Sequence, residues 1–130
     1  MERLRKRSDF LEAAKGRRWA TASLVLQARR RRDDGAIRVG FTTTRKVGGA
    51  VDRNRARRRL REAARRVIPE RGKPGYDYVV IGRRDTLTSS FADMLADLAT
   101  ALDKVHRHRD SPGRQDGSTG DAPSSPALAT

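Results

Sequence analysis

The sequence predicts a small domain that mixes helices with a sheet, and three observations carry the prediction. Apolar residues recur at helical spacing over 53–68 and again over 91–105. They alternate at a spacing of two over 23–29 and 37–44. They run almost unbroken over 76–82, as in a strand buried inside a sheet. At 130 residues the chain can enclose one modest core and not two.

A short helix comes first, entered through Arg3, Arg5, Lys6 and Arg7. Ser8 or Asp9 can cap it, Asp9 and Glu12 stand at capping-box spacing, and Gly16 can end it. Phe10, Ala13 and Ala14 give it an apolar side. Phe10 is flanked by cations, so it suits a core or a platform for a nucleotide base equally well. Trp19 follows Lys15, Arg17 and Arg18 and reads as a core or edge anchor.

The strand over 23–29 sets Leu24, Leu26 and Ala28 on one face and Val25 and Gln27 on the other. Arg32, Asp33, Asp34 and Gly35 form a turn whose Asp-Gly pair signals a hairpin, so Ile37–Thr44 is expected back as the partner strand. Its Ile37, Val39 and Phe41 point one way, and Arg38, Gly40 and Thr42 point the other. A face of Gly and Thr leaves room for a ligand chain to approach the backbone. Gly48 and Gly49 then make a turn through which a phosphate can reach the amides at the next helix start.

That helix is the most informative stretch. Ala56, Leu60, Ala63, Ala64, Val67 and Ile68 fall within one arc, the sign of burial along one side. Arg55, Arg58, Arg59, Arg65 and Arg66 fall on the other side. Between Arg53 and Arg66 there are eight Arg and one acid, Glu62, whereas a merely soluble face mixes the two signs. Such a helix repels itself unless a polyanion covers it. Asp52 can cap its start and Pro69 can stop its far end.

Gly72–Gly75 turns the chain into the apolar run YDYVVIG, Tyr76–Gly82, and a strand, crossover helix and strand in succession suggest a parallel pair. The last helix opens near Ser89 or Ser90. Phe91, Leu95, Leu98, Leu102 and Val105 form its buried stripe, and its Asp93, Asp97 and Asp103 argue against RNA contact. The domain is expected over 1–108, followed by a disordered tail over 109–130 rich in Ser, Gly, Pro and Asp.

Charge points to the partner. The net charge is +14, and residues 1–68 hold 22 Lys or Arg against 7 Asp or Glu, while 69–130 hold 8 against 9. The first half therefore carries the expected nucleic-acid surface. Arg outnumbers Lys 25 to 5, which suits forked contacts to phosphates, although a GC-rich genome produces the same bias. There is no cysteine, no apolar run of about 20 residues that could span a membrane, and no apolar core of a signal peptide, so a cytoplasmic location is expected. His106 and His108 lack the carboxylate-histidine surroundings of a metal or catalytic site. No Ser-His-Asp set, metal-ligand spacing, phosphate loop or dinucleotide fingerprint can be assembled. The residues alone describe a small RNA-binding domain with no visible catalytic machinery.

The run RVGFTTTRKVGGAVDRNRARRRLREAARR, residues 38–66, resembles the signature of the bacterial ribonuclease P protein subunit, whose hallmark triplet stands here as Arg53-Asn54-Arg55. RLRKRSDF, residues 3–10, and YDYVVIGR are similar to further parts of that family's pattern. The resemblance implies an α+β fold like the second domain of ribosomal protein S5, with a four-stranded, hairpin-led sheet, a crossover arginine helix and N- and C-terminal helices. It implies a cofactor subunit that joins a catalytic RNA to remove the 5′ leader from precursor tRNA, with magnesium ions used by the RNA, none bound by the protein alone, and no protein partner. By position, Lys46, Arg53, Asn54, Arg55, Arg57, Arg58 and Arg61 match the RNA-contacting motif. Phe10, with Lys6, matches the edge of the leader cleft. Many members carry a second aromatic where Ala13 and Ala14 stand, and some carry one where Gln27 stands; Trp19 is the candidate replacement. A ribosomal or other structural RNA-binding protein shares the charge without a role in cleavage. A stand-alone nuclease needs a carboxylate cluster that this chain lacks.

Overall fold

Tyr76–Gly82, the apolar run, forms the centre of the sheet. The computed structural model describes residues 1–107, so His108 and the tail expected over 109–130 lie outside the described residues. In chain order the elements are β1 (Glu2–Arg3), α1 (Arg7–Ala14), β2 (Arg17–Ala20), β3 (Leu24–Arg30), β4 (Arg38–Thr43), α2 (Ala50–Arg71), β5 (Tyr76–Gly82), α3 (Arg84–Thr88) and α4 (Phe91–Arg107). The architecture is α+β, with one mixed sheet in the order β1-β4-β5-β3-β2. β4 and β5 are parallel across the α2 crossover, as expected, and β3 pairs antiparallel with both β5 and β2.

Two features of the sheet differ from the expectation. It has five strands rather than four. The two-residue β1 lies parallel to β4, with the Glu2 N–H bonded to the Ile37 carbonyl at 2.8 Å. The Asp33-Asp34-Gly35 turn also closes no hairpin. β5 lies between β3 and β4, and the hairpin is β2 with β3, joined around Thr21, whose hydroxyl donates to the Leu24 carbonyl at 3.0 Å. A strand apolar on both faces excludes water best at the centre, so β5 takes that place and the loop over 31–36 spans it. Asp33 accepts from the Gly35 N–H and from Arg31, both at 2.8 Å, and so folds the loop locally without pairing its flanks. Gly75, at φ 79°, passes so close that a Cβ there would lie 2.2 Å from the Asp33 carbonyl oxygen.

One sheet face carries Leu24, Leu26, Ala28, Val39, Tyr78 and Val80 and packs against α2 and α4. The predicted arc of α2, Ala56, Leu60, Ala63, Ala64, Val67 and Ile68, is buried there. Burying each large aliphatic side chain contributes about 1.5–3 kcal/mol, so this face dominates stability. The opposite face is covered by α1, with Ala13, Leu4 and Val79 buried together and Phe10 and Ile81 against them.

Helix boundaries shift from expectation for local reasons. Lys6 holds the N-cap of α1, and its carbonyl accepts from the Asp9 and Phe10 N–H groups. Asp9 sits in the first turn instead of capping, with Arg38 at 3.7 Å. Gly49 is the N-cap of α2, and Asp52 lies in its first turn. Pro69 does not stop α2, which continues to Arg71. The proline withholds one N–H from the carbonyl of exposed Arg65, where water can bond instead. The Gly72 N–H, bonded to the Ile68 carbonyl at 2.6 Å, closes the helix. Ser90 opens α4, its hydroxyl accepting from the Asp93 N–H at 3.0 Å. α3 was not foreseen from the sequence; five residues are too few for periodicity to reveal.

Candidate nucleic-acid interface

The arginines of α2 divide into three rows set by the helical period. Arg53, Arg57 and Arg61 form the flank towards β4 and are half-buried. Arg53 donates to the Gly48 carbonyl at 2.8 Å, Arg57 bonds the Asn54 side chain and reaches Thr43, and the Arg61 guanidinium lies 5.9 Å from the Phe41 ring centre. Arg59 and Arg66 form the opposite flank, towards α3 and α4. Arg66 lies over the Phe91 ring at 5.3 Å. Arg59 donates to the carbonyls of Thr86, Leu87 and Ser89 at 2.7, 3.0 and 2.8 Å, closing the C-terminal end of α3. Arg59 is therefore a fold residue, not part of the outer face on which helical projection places it.

Between the flanks, Asn54, Arg55, Arg58 and Arg65 are exposed. Glu62 engages the C-terminal end of this row, accepting from Arg65 at 2.9 Å and from Arg66 on the flank at 3.2 Å, and offsets one of their two charges. Arg55 and Arg58 have no hydrogen-bond or ion-pair partner among the described residues. Arg55 and Arg58, one in the Arg53-Asn54-Arg55 triplet and the other a turn later, are thus the exposed arginines of α2 whose side chains bond nothing else among the described residues.

The glycine turn before α2 is more closed than the sequence suggests. Gly48 takes φ 140°, open to glycine and strained for other residues, and a Cβ there would lie 2.5 Å from the Asp52 carboxylate. That carboxylate, in the first turn of α2, occupies ground read from the sequence as open to a phosphate. Lys46, in a short 3-10 turn over Arg45–Val47, is exposed.

Phe10 lies on the other side of the sheet. Its ring fills the space above Gly40, where a Cβ would lie 2.6 Å from the ring carbons. The room left by Gly40 is therefore taken by Phe10, and Thr42 continues that face beyond it. Lys6 is exposed at the N-terminus of the same helix. Ala13, one of the two positions where many family members carry a second aromatic, is fully buried against the sheet, and Gln27 is 8% exposed. Trp19 packs with the main core on the α2–α4 side, 5.4 Å from the Lys104 ammonium. It faces away from Phe10 and cannot replace an aromatic in the same cleft.

A depression of about 400 Å³ opens on the Phe10 side, at the ends of the parallel strands, where Thr44 follows β4 and Arg83 follows β5. Arg18, Lys46, Arg83 and Arg84 surround its floor of Val25 and Ile81, with Asp85 the one acid. Arg83 Nη1 also donates to the Thr21 carbonyl at 2.6 Å, which pins its guanidinium at the rim. Sequence reasoning passed over Arg18, Arg83 and Arg84 as site residues. The available signal was a pair of cations directly after the central strand, at the carboxyl edge where open sheets receive ligands.

Other arginines serve the fold. Asp77, buried within β5, accepts from Arg31 Nη1, Arg38 Nε and Arg38 Nη2, each at 2.8 Å, with Arg29 at 3.6 Å. Burial opposes its charge, and the hydrogen bonds from Arg38 and Arg31 outweigh burial, so the carboxyl lies below its ordinary range. Among the described residues no group of three His, Asp or Glu is placed to hold a metal ion. No helix among them is long and apolar enough to cross a membrane.

The protein-family model described as Ribonuclease P matches residues 1–106. The chain belongs to the ribonuclease P protein family. Over 107 residues it is 59% identical to the ribonuclease P protein component of Ruegeria pomeroyi, covering 79% of this chain and 85% of that one. It is 55% identical over 102 residues to that of Caulobacter vibrioides, covering 78% and 68%. The RNase P protein from Thermotoga maritima superposes with a TM-score of 0.65 at 32% identity, covering 82% of this chain and 97% of that one. The Staphylococcus aureus RNase P protein, at 24% identity and a TM-score of 0.66, shares the fold. The function is that of a ribonuclease P subunit, an RNA-binding component of tRNA processing.

Proposed function

We propose that the chain binds the RNA subunit of ribonuclease P through the N-terminal half of α2, and receives the single-stranded 5′ leader of precursor tRNA on the opposite face of the sheet. The observation that carries this reading is the pairing pattern on α2. Arg55 and Arg58 project outward with no acid among the described residues to answer them, above a fully buried apolar arc. Lys46, Arg53, Asn54, Arg57 and Arg61 flank them, and the half-buried three act partly by fixing the turn and the β4 flank. On the other face Phe10 and Lys6 form one edge of the leader path, and Arg18, Lys46, Arg83 and Arg84 line its continuation.

Catalysis belongs to the RNA subunit in this reading, with magnesium ions held by RNA. Of the acids on these faces, Asp9, Asp77 and Glu62 each face an arginine, which leaves those three poor metal ligands. The protein supplies fixed cations in place of counterions that the RNA and its substrate otherwise recruit. The reading places it in the cytoplasm, where tRNA is made.

The test is reconstitution. Purified protein with precursor tRNA and magnesium should give no specific cleavage, and adding the catalytic RNA should restore it. At low magnesium the RNA should depend on the protein. Cleavage at the leader junction by RNA-free protein contradicts the reading, and binding without stimulation favours a structural RNA-binding role.

A further inference from the structure

We propose that a cationic pocket at the far end of α1, of about 600 Å³, is an additional RNA-phosphate site. The proposal rests on the reading that this chain binds RNA. Lys15, Arg17, Arg29 and Arg30 line the pocket with Tyr76, and Glu12 is its one acid. Glu12 is already engaged by Lys15 at 3.1 Å, and Arg29 leans on Asp77 at 3.6 Å. Arg17 and Arg30 remain without an ion-pair partner among the described residues.

Arg17 distinguishes the pocket from an ordinary basic surface. Its Nη1 is buried and has no hydrogen-bond partner among the described residues. A buried N–H without an acceptor is costly, and a phosphate oxygen supplies the acceptor that the protein does not. The position is also built. A Cβ on Gly16 would lie 2.1 Å from the Ala28 carbonyl oxygen, so only glycine lets the link from α1 to β2 press against β3 and set Arg17 at the sheet edge. Tyr76 also lines the pocket; its ring packs with the main core, stacked on Tyr78 with centres 5.8 Å apart and edge-on to His106 at 4.6 Å, so it borders the phosphate site and is not a platform for a base.

Placement favours an RNA strand over a free anion. α1 carries Phe10 towards its start and Lys15 directly after its end. Its eight residues span roughly 12 Å, so a strand lying along α1 past Phe10 reaches Lys15 at the rim of the pocket within a few nucleotides, and there it turns round the β2 edge to meet Arg17, whose pairing with Ala28 sets it on the α2–α4 face.

The experiment follows arginine side-chain NMR signals of the full chain labelled with nitrogen-15, titrated with a single-stranded oligoribonucleotide and separately with inorganic phosphate. The oligoribonucleotide should shift Arg17 and Arg30 together with Arg55 and Arg58. Inorganic phosphate should shift Arg17 more weakly and be displaced by the RNA. In the Arg17→Gln, Arg30→Gln variant, the slope of log affinity for the oligoribonucleotide against log salt should flatten by about 0.7 for each phosphate no longer neutralised. Arg17 and Arg30 silent while Arg55 and Arg58 respond overturns the pocket and leaves RNA binding intact. All four silent overturns the RNA reading, and the pocket with it. Phosphate held at Arg17 that the RNA does not displace makes the pocket a free-anion site and overturns the RNA assignment.

Discussion

On the sheet, Arg29, Arg31 and Arg38 surround the buried Asp77 carboxylate; on the outer face of α2, Arg55 and Arg58 have no acid to meet among the described residues. Both groups are arginines in the basic half of the chain, and composition does not separate them. Their partners do. The Asp77 group fastens the start of β5 to β4 and to the 31–36 loop, because Arg31 bonds Asp33 and the Ala36 carbonyl as well. The α2 pair fastens nothing in the described protein and is available to a polyanion. Adjacent residues repeat the lesson, since Arg58 projects into solvent while Arg59 closes α3 with three hydrogen bonds.

The largest expected effect breaks the first group. Asp77→Ala leaves cations converging on an empty buried site and should cost about 3–5 kcal/mol in denaturant unfolding, the usual cost of breaking a buried ion pair. The same group sets an acid limit. The folded carboxyl lies below its ordinary value, so its contribution is complete above the ordinary carboxylate range and is lost as pH falls through the depressed value. Stability measured against pH should fall on that acid side, and Asp77→Asn should remove that part of the dependence. A variant as stable as the parent at neutral pH would show that the group does not hold the sheet.

Arg59→Ala comes next. It leaves three carbonyls at the end of α3 without their donor and should cost about 1–3 kcal/mol, read as a lower Tm, with RNA affinity unchanged for the folded protein. Weaker RNA binding at unchanged Tm would move Arg59 to the outer row. The smallest effect concerns the other face. Phe10→Ala should weaken binding of precursor tRNA more than of mature tRNA, by about 1 kcal/mol if one base stacks on the ring. Equal weakening of both removes Phe10 from the leader path.

The difference between the groups explains how far the sequence could be read. The buried arc of α2 and the parallel pairing of β4 with β5 were legible because periodicity reports burial directly. The hairpin was misplaced because Asp33-Asp34-Gly35 signals a local turn, while strand neighbours depend on β5, some forty residues later. Asp77 was hidden inside an apolar run, since nothing local marks the three arginines that converge on it. The same limit applied to Arg59, whose helical position faces outward until α3 is placed beside it. Arg55 and Arg58 were legible as candidates, and only the folded arrangement separates them from Arg65 and Arg66, which Glu62 engages.

In the proposed function Arg55 and Arg58, rather than the basic charge as a whole, hold the RNA. The most direct measurement is the salt dependence of binding to ribonuclease P RNA for the parent and for the Arg55→Glu, Arg58→Glu variant, with circular dichroism run alongside. The prediction is an unchanged spectrum and Tm, weaker binding at every salt concentration, and a log–log slope flatter by about one unit for each phosphate that the variant no longer neutralises. Unchanged affinity and slope in the folded variant would contradict the account.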